Sequence, residues 1–152
     1  MSFSLRKAWD EILCPMLQRP KRLQVAALCY RSTDNGKDVL LITSRDTRRW
    51  IIPKGWPIKG MNASQAAMQE AWEEAGVSKG RGSKDSIGSY SYDKRMATGW
   101  TVPVETLVFP VDVQKLKDDF PEAKERDRKW VPSAEAANLV HEPELQDILR
   151  RL

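Results

Sequence analysis

The sequence predicts an α+β fold, a mixed β-sheet lying between helices. Strand-like apolar runs stand on both sides of one well-signalled helix, at residues 22–31, 38–44 and 50–52 before it and at 87–92 and 100–111 after it. Two further helical segments close the chain behind a short strand at 129–131. With 152 residues and no internal repeat, the chain suits one globular domain.

The elements follow in order. Leu5, Ala8, Trp9, Ile12 and Leu13 recur at helical spacing, with Arg6, Lys7, Asp10 and Glu11 between them and Cys14-Pro15 as a stop. Residues 1–20 therefore read as an amphipathic helix that packs on the domain or a partner, or as a loose tail, and residues 21–152 as the domain proper. RLQVAALCYR (22–31) and DVLLITS (38–44), joined by the turn-rich Ser32–Lys37, form a hairpin. Arg45, Arg48 and Arg49 then cluster before Trp50-Ile51-Ile52, with Lys54 and Lys59 close behind. These five cations are either a phosphate grip or solvated surface charges.

The helix over 62–76 carries start and stop signals. Asn62 can cap with Gln65 three residues on, five alanines favour the helix, and Gly76 suits the position just past its end. At about 100° per residue, Glu70, Glu73 and Glu74 share one side, and Ala67, Met68, Ala71, Trp72 and Ala75 the other. Like charges this close cost a few tenths of a kcal/mol per pair. The glutamates are either a solvated acidic face or the ligands of a hard divalent cation such as Mg²⁺.

Beyond the helix, SKGRGSKD (78–85) reads as a polar, glycine-rich connection, Ile87–Tyr92 as a strand, 93–99 as a loop and Trp100–Val111 as another strand. Glu105 interrupts that apolar strand; it points either at water or at the glutamate cluster, as a further ligand or base. Residues 112–120 suggest a short helix or turn, and PEAKERDRK (121–129) a charged, mobile linker. Ser133 can cap the first of the C-terminal helices, and Leu145, Ile148, Leu149 and Leu152 make an apolar stripe on the last.

Composition excludes several classes. At 41% hydrophobic and 30% charged, the chain is neither disordered nor a membrane protein. No run spans a bilayer or resembles a signal peptide, so a cytoplasmic chain is expected. Cys14 and Cys29 have no metal or redox spacing, and the single His141 leaves acid and base work to carboxylates. Residues 21–60 hold nine Lys or Arg against three Asp, while 112–152 hold eight against ten acidic residues. That asymmetry suits a small anionic ligand beside the acidic helix, and no basic run points to nucleic acid. A monomer and a homodimer are both compatible with the sequence.

The stretch GWPIKGMNASQAAMQEAWEEAGV (55–77) resembles the Nudix box, G-x5-E-x7-R-E-U-x-E-E-x-G-U with U bulky and apolar. Gly55, Glu70, Glu73, Glu74, Gly76 and Val77 match; Met61 stands where the pattern has Glu, Gln69 where it has Arg, and Ala71 is small for U. The resemblance implies a Nudix-type α/β/α sandwich and a pyrophosphohydrolase acting on a polyphosphorylated small molecule with Mg²⁺ or Mn²⁺. It implies a metal site of Glu70, Glu73, Glu74 and Gly55, with the glutamates catalytic and Glu70 or Glu74 able to take a proton. Arg45, Arg48, Arg49, Lys54 and Lys59 would bind the outer phosphates, helped by Lys94 and Arg95, and Trp50, Trp56 or Trp100 could stack on a base. Met61, a soft thioether, cannot replace a carboxylate at Mg²⁺. The segments Ser44–Gly55 and Glu125–Trp130 look most like the diphosphoinositol polyphosphate phosphohydrolase branch, which also acts on dinucleoside polyphosphates. The alternative is a Nudix-fold binding module that has lost the reaction.

Overall fold

The structure, a computed structural model, describes residues 21–152, so the amphipathic reading of residues 1–20 lies outside the described residues. Among the described residues, eight strands and three helices follow one another: β1 (Arg22–Thr33), β2 (Gly36–Thr43), β3 (Trp50–Ile51), β4 (Lys54–Gly55), α1 (Ala63–Ala75), β5 (Val77–Gly82), β6 (Gly88–Arg95), β7 (Thr101–Leu116), β8 (Arg128–Pro132), α2 (Ser133–Leu139) and α3 (Pro143–Arg150). All eight strands join one sheet along the path β3-β2-β1-β7-β5, with β4 also on β1, β6 on β7 and β8 on β2. The sheet is mixed because β1 and β7 run parallel, in register from Arg22↔Val104 to Tyr30↔Asp112, while every other pair is antiparallel.

The alternation of β1 makes the sandwich. Val25, Ala27 and Cys29 pack with Ala66, Ala67, Ala71 and Ala75 of α1, whereas Ala26 and Leu28 pack with Ala136, Ala137, Leu145, Ile148 and Leu149 of α2 and α3. A strand covered on both faces reads as a continuous apolar run, which is what residues 25–29 show. None of the described helices is long and apolar enough to cross a membrane.

One irregularity positions the site. β2 pairs with β1 only over Tyr30–Thr33, and near the other end of β1 its place is taken by the two residues of β4, Lys54 and Gly55, opposite Ala26 and Val25. The sheet splits there. β4 lies in the split, and α1 passes beside it.

The caps of α1 form as its sequence requires: Asn62 Oδ1 accepts from Gln65 N, and Gln65 Oε1 accepts from Asn62 N. Gly76 ends the helix at φ 76°, where a Cβ would also lie 2.6 Å from the Lys117 carbonyl oxygen. Other expectations are corrected. Residues 78–85 are largely strand, since β5 continues to Gly82 and pairs with a β7 that runs on to Leu116 through the expected helix or turn at 112–120. β5 is an exposed edge whose polar residues show no alternation, so its pairing comes from the length of β7. β6 extends into the expected loop as far as Arg95. Ser133 is the first residue of α2 rather than its cap, which is Pro132 without a side-chain bond. Met68 and Trp72 are only partly buried, and Glu74 is buried with the alanines.

Candidate active site

The split in the sheet brings β4 against the acidic side of α1. Gly55 faces Glu70 so closely that a Cβ built on it would overlap the Glu70 carboxyl group. One residue earlier, the backbone N–H of Lys54 donates to Glu74 Oε1 at 3.4 Å. Two neighbouring backbone positions thus set the places of two carboxylates.

Glu74 is held from the other side by Arg126, whose Nη2 lies 3.3 Å from its Oε1; the two side chains are 6% and 7% exposed. The same guanidinium reaches Glu122 Oε1 at 3.2 Å and donates to the carbonyl oxygen of Thr43 at 2.9 Å. Glu70, Glu74, Glu122 and Arg126 line a cleft of about 550 Å³ together with Gln24, Arg45, Arg49, Trp56, Tyr92, Lys94 and Arg95. A larger groove of about 710 Å³ runs along the outer flank of α1, past Met61, Met68, Trp72 and Lys117, but no carboxylate of the described residues lines it.

The electrostatics follow from crowding like charges out of water. Burial, with the charges of Glu74 and Glu73 added, pushes the Glu70 carboxyl up to about 8. Burial raises Glu74 as well, with Glu122 adding to the rise and Arg126 and Lys54 opposing it. Across the cleft, burial brings Lys54 down to about 8, against the pull of Glu74 and Glu142. A cation placed at the Glu70–Glu74 pair would restore both charges.

The pair suits a divalent ion in its chemistry. Its donors are hard oxygens, and Mg²⁺ is typically held by one or two carboxylates with water and substrate phosphates in its other positions. Among the described residues no set of three or more His, Cys, Asp or Glu is gathered for a metal ion. Glu73 is the glutamate that stands aside, taking a hydrogen bond from Gln69 Nε2 at 3.1 Å.

Residues 22–152 match the model of the NUDIX domain. The chain belongs to the NUDIX family. It is similar to diphosphoinositol polyphosphate phosphohydrolase 3-alpha of Mus musculus, 28% identical over 133 residues that cover 85% of this chain and 76% of that protein. It is also similar to the chloroplastic Nudix hydrolase 21 of Arabidopsis thaliana, 30% identical over 133 residues that cover 84% of this chain and 64% of that one. Among solved structures, the Ap4A hydrolase of C. elegans superposes with a TM-score of 0.64 at 22% identity, covering 87% of this chain and 96% of that one. The NUDIX domain of Shewanella oneidensis NrtR, complexed with ADP ribose, gives 0.62 at 18% identity and covers 96% of each chain. These structures share the α+β fold, and family and relatives together make this chain a Nudix hydrolase. The Nudix family generally uses divalent metal ions.

The expected site residues divide into three groups. Glu70, Glu74, Gly55, Arg45, Arg49 and Lys54 all line the cleft of this Nudix fold, as do Lys94 and Arg95. Arg45 is shared with Glu122 and Glu125, at 3.3 and 3.5 Å, and Arg49 with Glu142. Glu73, Arg48, Lys59 and Glu105 do not line it. Arg48, at φ 57°, donates to the Glu125 carbonyl oxygen and to Asp127 Oδ2; Lys59 sits in an exposed turn; and Glu105 Oε1 accepts from Ser89 Oγ at 3.2 Å. Of the tryptophans, Trp56 lines the cleft, with Lys94 Nζ 5.8 Å from its ring, while Trp50 packs against the core and Trp100, 68% exposed, lines a separate groove.

Arg126, Glu122, Gln24 and Tyr92 were not expected there. The first two fall in the stretch read as a mobile linker, which the structure instead ties down: Glu122 N donates to the Glu73 carbonyl oxygen, and Asp127 N to Thr43 Oγ1. No local signal marks the first two: they are charges among many in PEAKERDRK, and β8 itself begins only at Arg128.

Proposed function

We propose that this Nudix hydrolase is divalent-metal-dependent and cleaves a phosphoanhydride bond in a diphosphoinositol polyphosphate or a dinucleoside polyphosphate. The observation that carries the reading is the meeting, in one cleft, of the Glu70–Glu74 pair with Arg45, Arg49, Lys54, Lys94, Arg95 and Arg126. Carboxylates alone would repel a polyphosphate and cations alone would bind it without chemistry; the cleft has both.

Glu70 and Glu74 would hold Mg²⁺ or Mn²⁺, with Gly55 leaving the space for Glu70. Glu73, the third glutamate of the box, would join them by giving up its bond to Gln69. When bound, the metal supplies charge neutralisation at the bridging phosphate oxygens and a more acidic water. The chain's own residues do the rest. Arg126 keeps the buried Glu74 oriented from behind, Glu70 or Glu74 takes the proton of the attacking water, and Arg45, Arg49 and Lys54 hold the outer phosphates, with Lys94 and Arg95 on the facing strand. Trp56 offers a ring that a nucleobase could use and an inositol would not need. Arg48, Lys59 and Glu105 are left out of this machinery, because none of them lines the cleft.

The test is phosphate release with added Mg²⁺ or Mn²⁺ from a diphosphoinositol polyphosphate, diadenosine tetraphosphate and a nucleotide sugar. Glu74→Gln and Glu73→Gln should each lose about tenfold or more of the activity. Absence of wild-type turnover on all three substrates would favour the binding-module alternative.

A further inference from the structure

Behind the cleft lies a carboxylate that the proposed chemistry does not use. Glu142 precedes Pro143 at the start of α3, in the layer on the far side of the sheet from α1, and is 7% exposed. Its side chain makes no capping bond to the helix it precedes. Oε1 accepts from Nη1 of Arg49 at 2.5 Å, and Oε2, also buried, has no hydrogen-bond partner among the described residues.

A carboxylate this far from water is expensive to keep charged unless something answers it. Among the described residues its one ion pair is with Arg49, whose side chain is 26% exposed and lines the cleft. Arg49 therefore stands between Glu142 and the open cleft. One N–H of its planar fork is spent on Glu142, and the rest of the guanidinium is left for the cleft.

We propose that Glu142 is a positioning residue for substrate: from beneath the cleft wall it fixes Arg49 so that the guanidinium meets a phosphate of the ligand already oriented. The proposal rests on reading the cleft as the phosphoanhydride site. Two effects of the Glu142 charge compete. It repels an incoming anion, and it spares the long arginine side chain the loss of freedom that gripping a phosphate would otherwise require. The arrangement favours the second, because the ion pair turns its positive end toward the cleft and its negative end into the protein. The charge of Glu142 is also felt along the cleft wall, where it adds to the effect of burial in raising the Tyr92 hydroxyl and opposes the effect of burial on Lys54.

Calorimetric titration with inorganic tripolyphosphate in the presence of Mg²⁺ tests this on wild type, Glu142→Ala, Glu142→Gln, Arg49→Ala and the Arg49→Ala/Glu142→Ala double variant. Glu142→Ala should weaken binding about tenfold, the scale of a charge-assisted hydrogen bond. Glu142→Gln, which keeps an oxygen for Arg49, should recover most of that loss, and Glu142→Ala should add nothing once Arg49 is gone. In turnover, Glu142→Ala should raise KM by more than it lowers kcat. Binding by Glu142→Ala as tight as wild type, or a loss that persists in the Arg49→Ala background, would overturn the proposal. The hydrolase reading fails separately: a wild type that releases no phosphate while the calorimetric pattern holds refutes that reading and supports the Arg49–Glu142 coupling.

Discussion

Two sets of ion pairs flank the cleft, and they differ in almost everything except charge. Arg126 is enclosed by Glu74, Glu122 and the Thr43 carbonyl oxygen, and its side chain is 7% exposed. Arg48, a few residues from Thr43 along the neighbouring loop, meets Asp127 at 2.6 Å with side chains 51% and 72% exposed. By distance alone the second pair is the tighter. Burial reverses that order, because water screens the exposed pair and remains ready to replace either partner, whereas nothing replaces Arg126 if it is lost.

The largest effect expected from this contrast is on Arg126. Arg126→Ala should cost about 3–5 kcal/mol of stability, read from the urea midpoint, since it strands the buried Glu74 and frees the Thr43 carbonyl oxygen. A loss below about 1 kcal/mol would mean that the two pairs do not differ in kind. Arg48→Ala should cost less than about 1 kcal/mol in the same measurement, despite its shorter contact. The smallest change concerns a group that carries no charge. Burial, with a contribution from Glu74, pushes the Cys29 thiol up to about 12, so in a Cys14→Ser background Cys29 should resist a thiol reagent in native protein and react fully once unfolded. Ready labelling of the folded protein would show that the core beneath Glu74 is open to water.

The same contrast explains what was legible in the sequence. Asn62, Gln65 and Gly76 act on backbone groups a few residues away, so the limits of α1 could be read directly. The alternation in β1 and the apolar stripe of α3 are equally local. β5 was hidden because VSKGRG has no alternation of its own and depends on a partner more than 25 residues along the chain. Arg126 was hidden for a related reason. It looks like one charge among many in PEAKERDRK, and only folding brings it to Thr43, 83 residues earlier, and to Glu74. The glutamates were recognised as a group, but their spacing does not show that Glu74 turns inward, that Glu73 bonds Gln69, or that Glu70 lies against Gly55.

The Lys54–Gly55 dipeptide acts as a gauge. It touches both carboxylates through main-chain geometry, so the gap between them is calibrated by strand pairing with Val25 and Ala26 rather than by side-chain rotamers. A substitution under β1 that shifts this short strand by a fraction of an ångström would therefore detune the reaction while the protein still melted at its usual temperature.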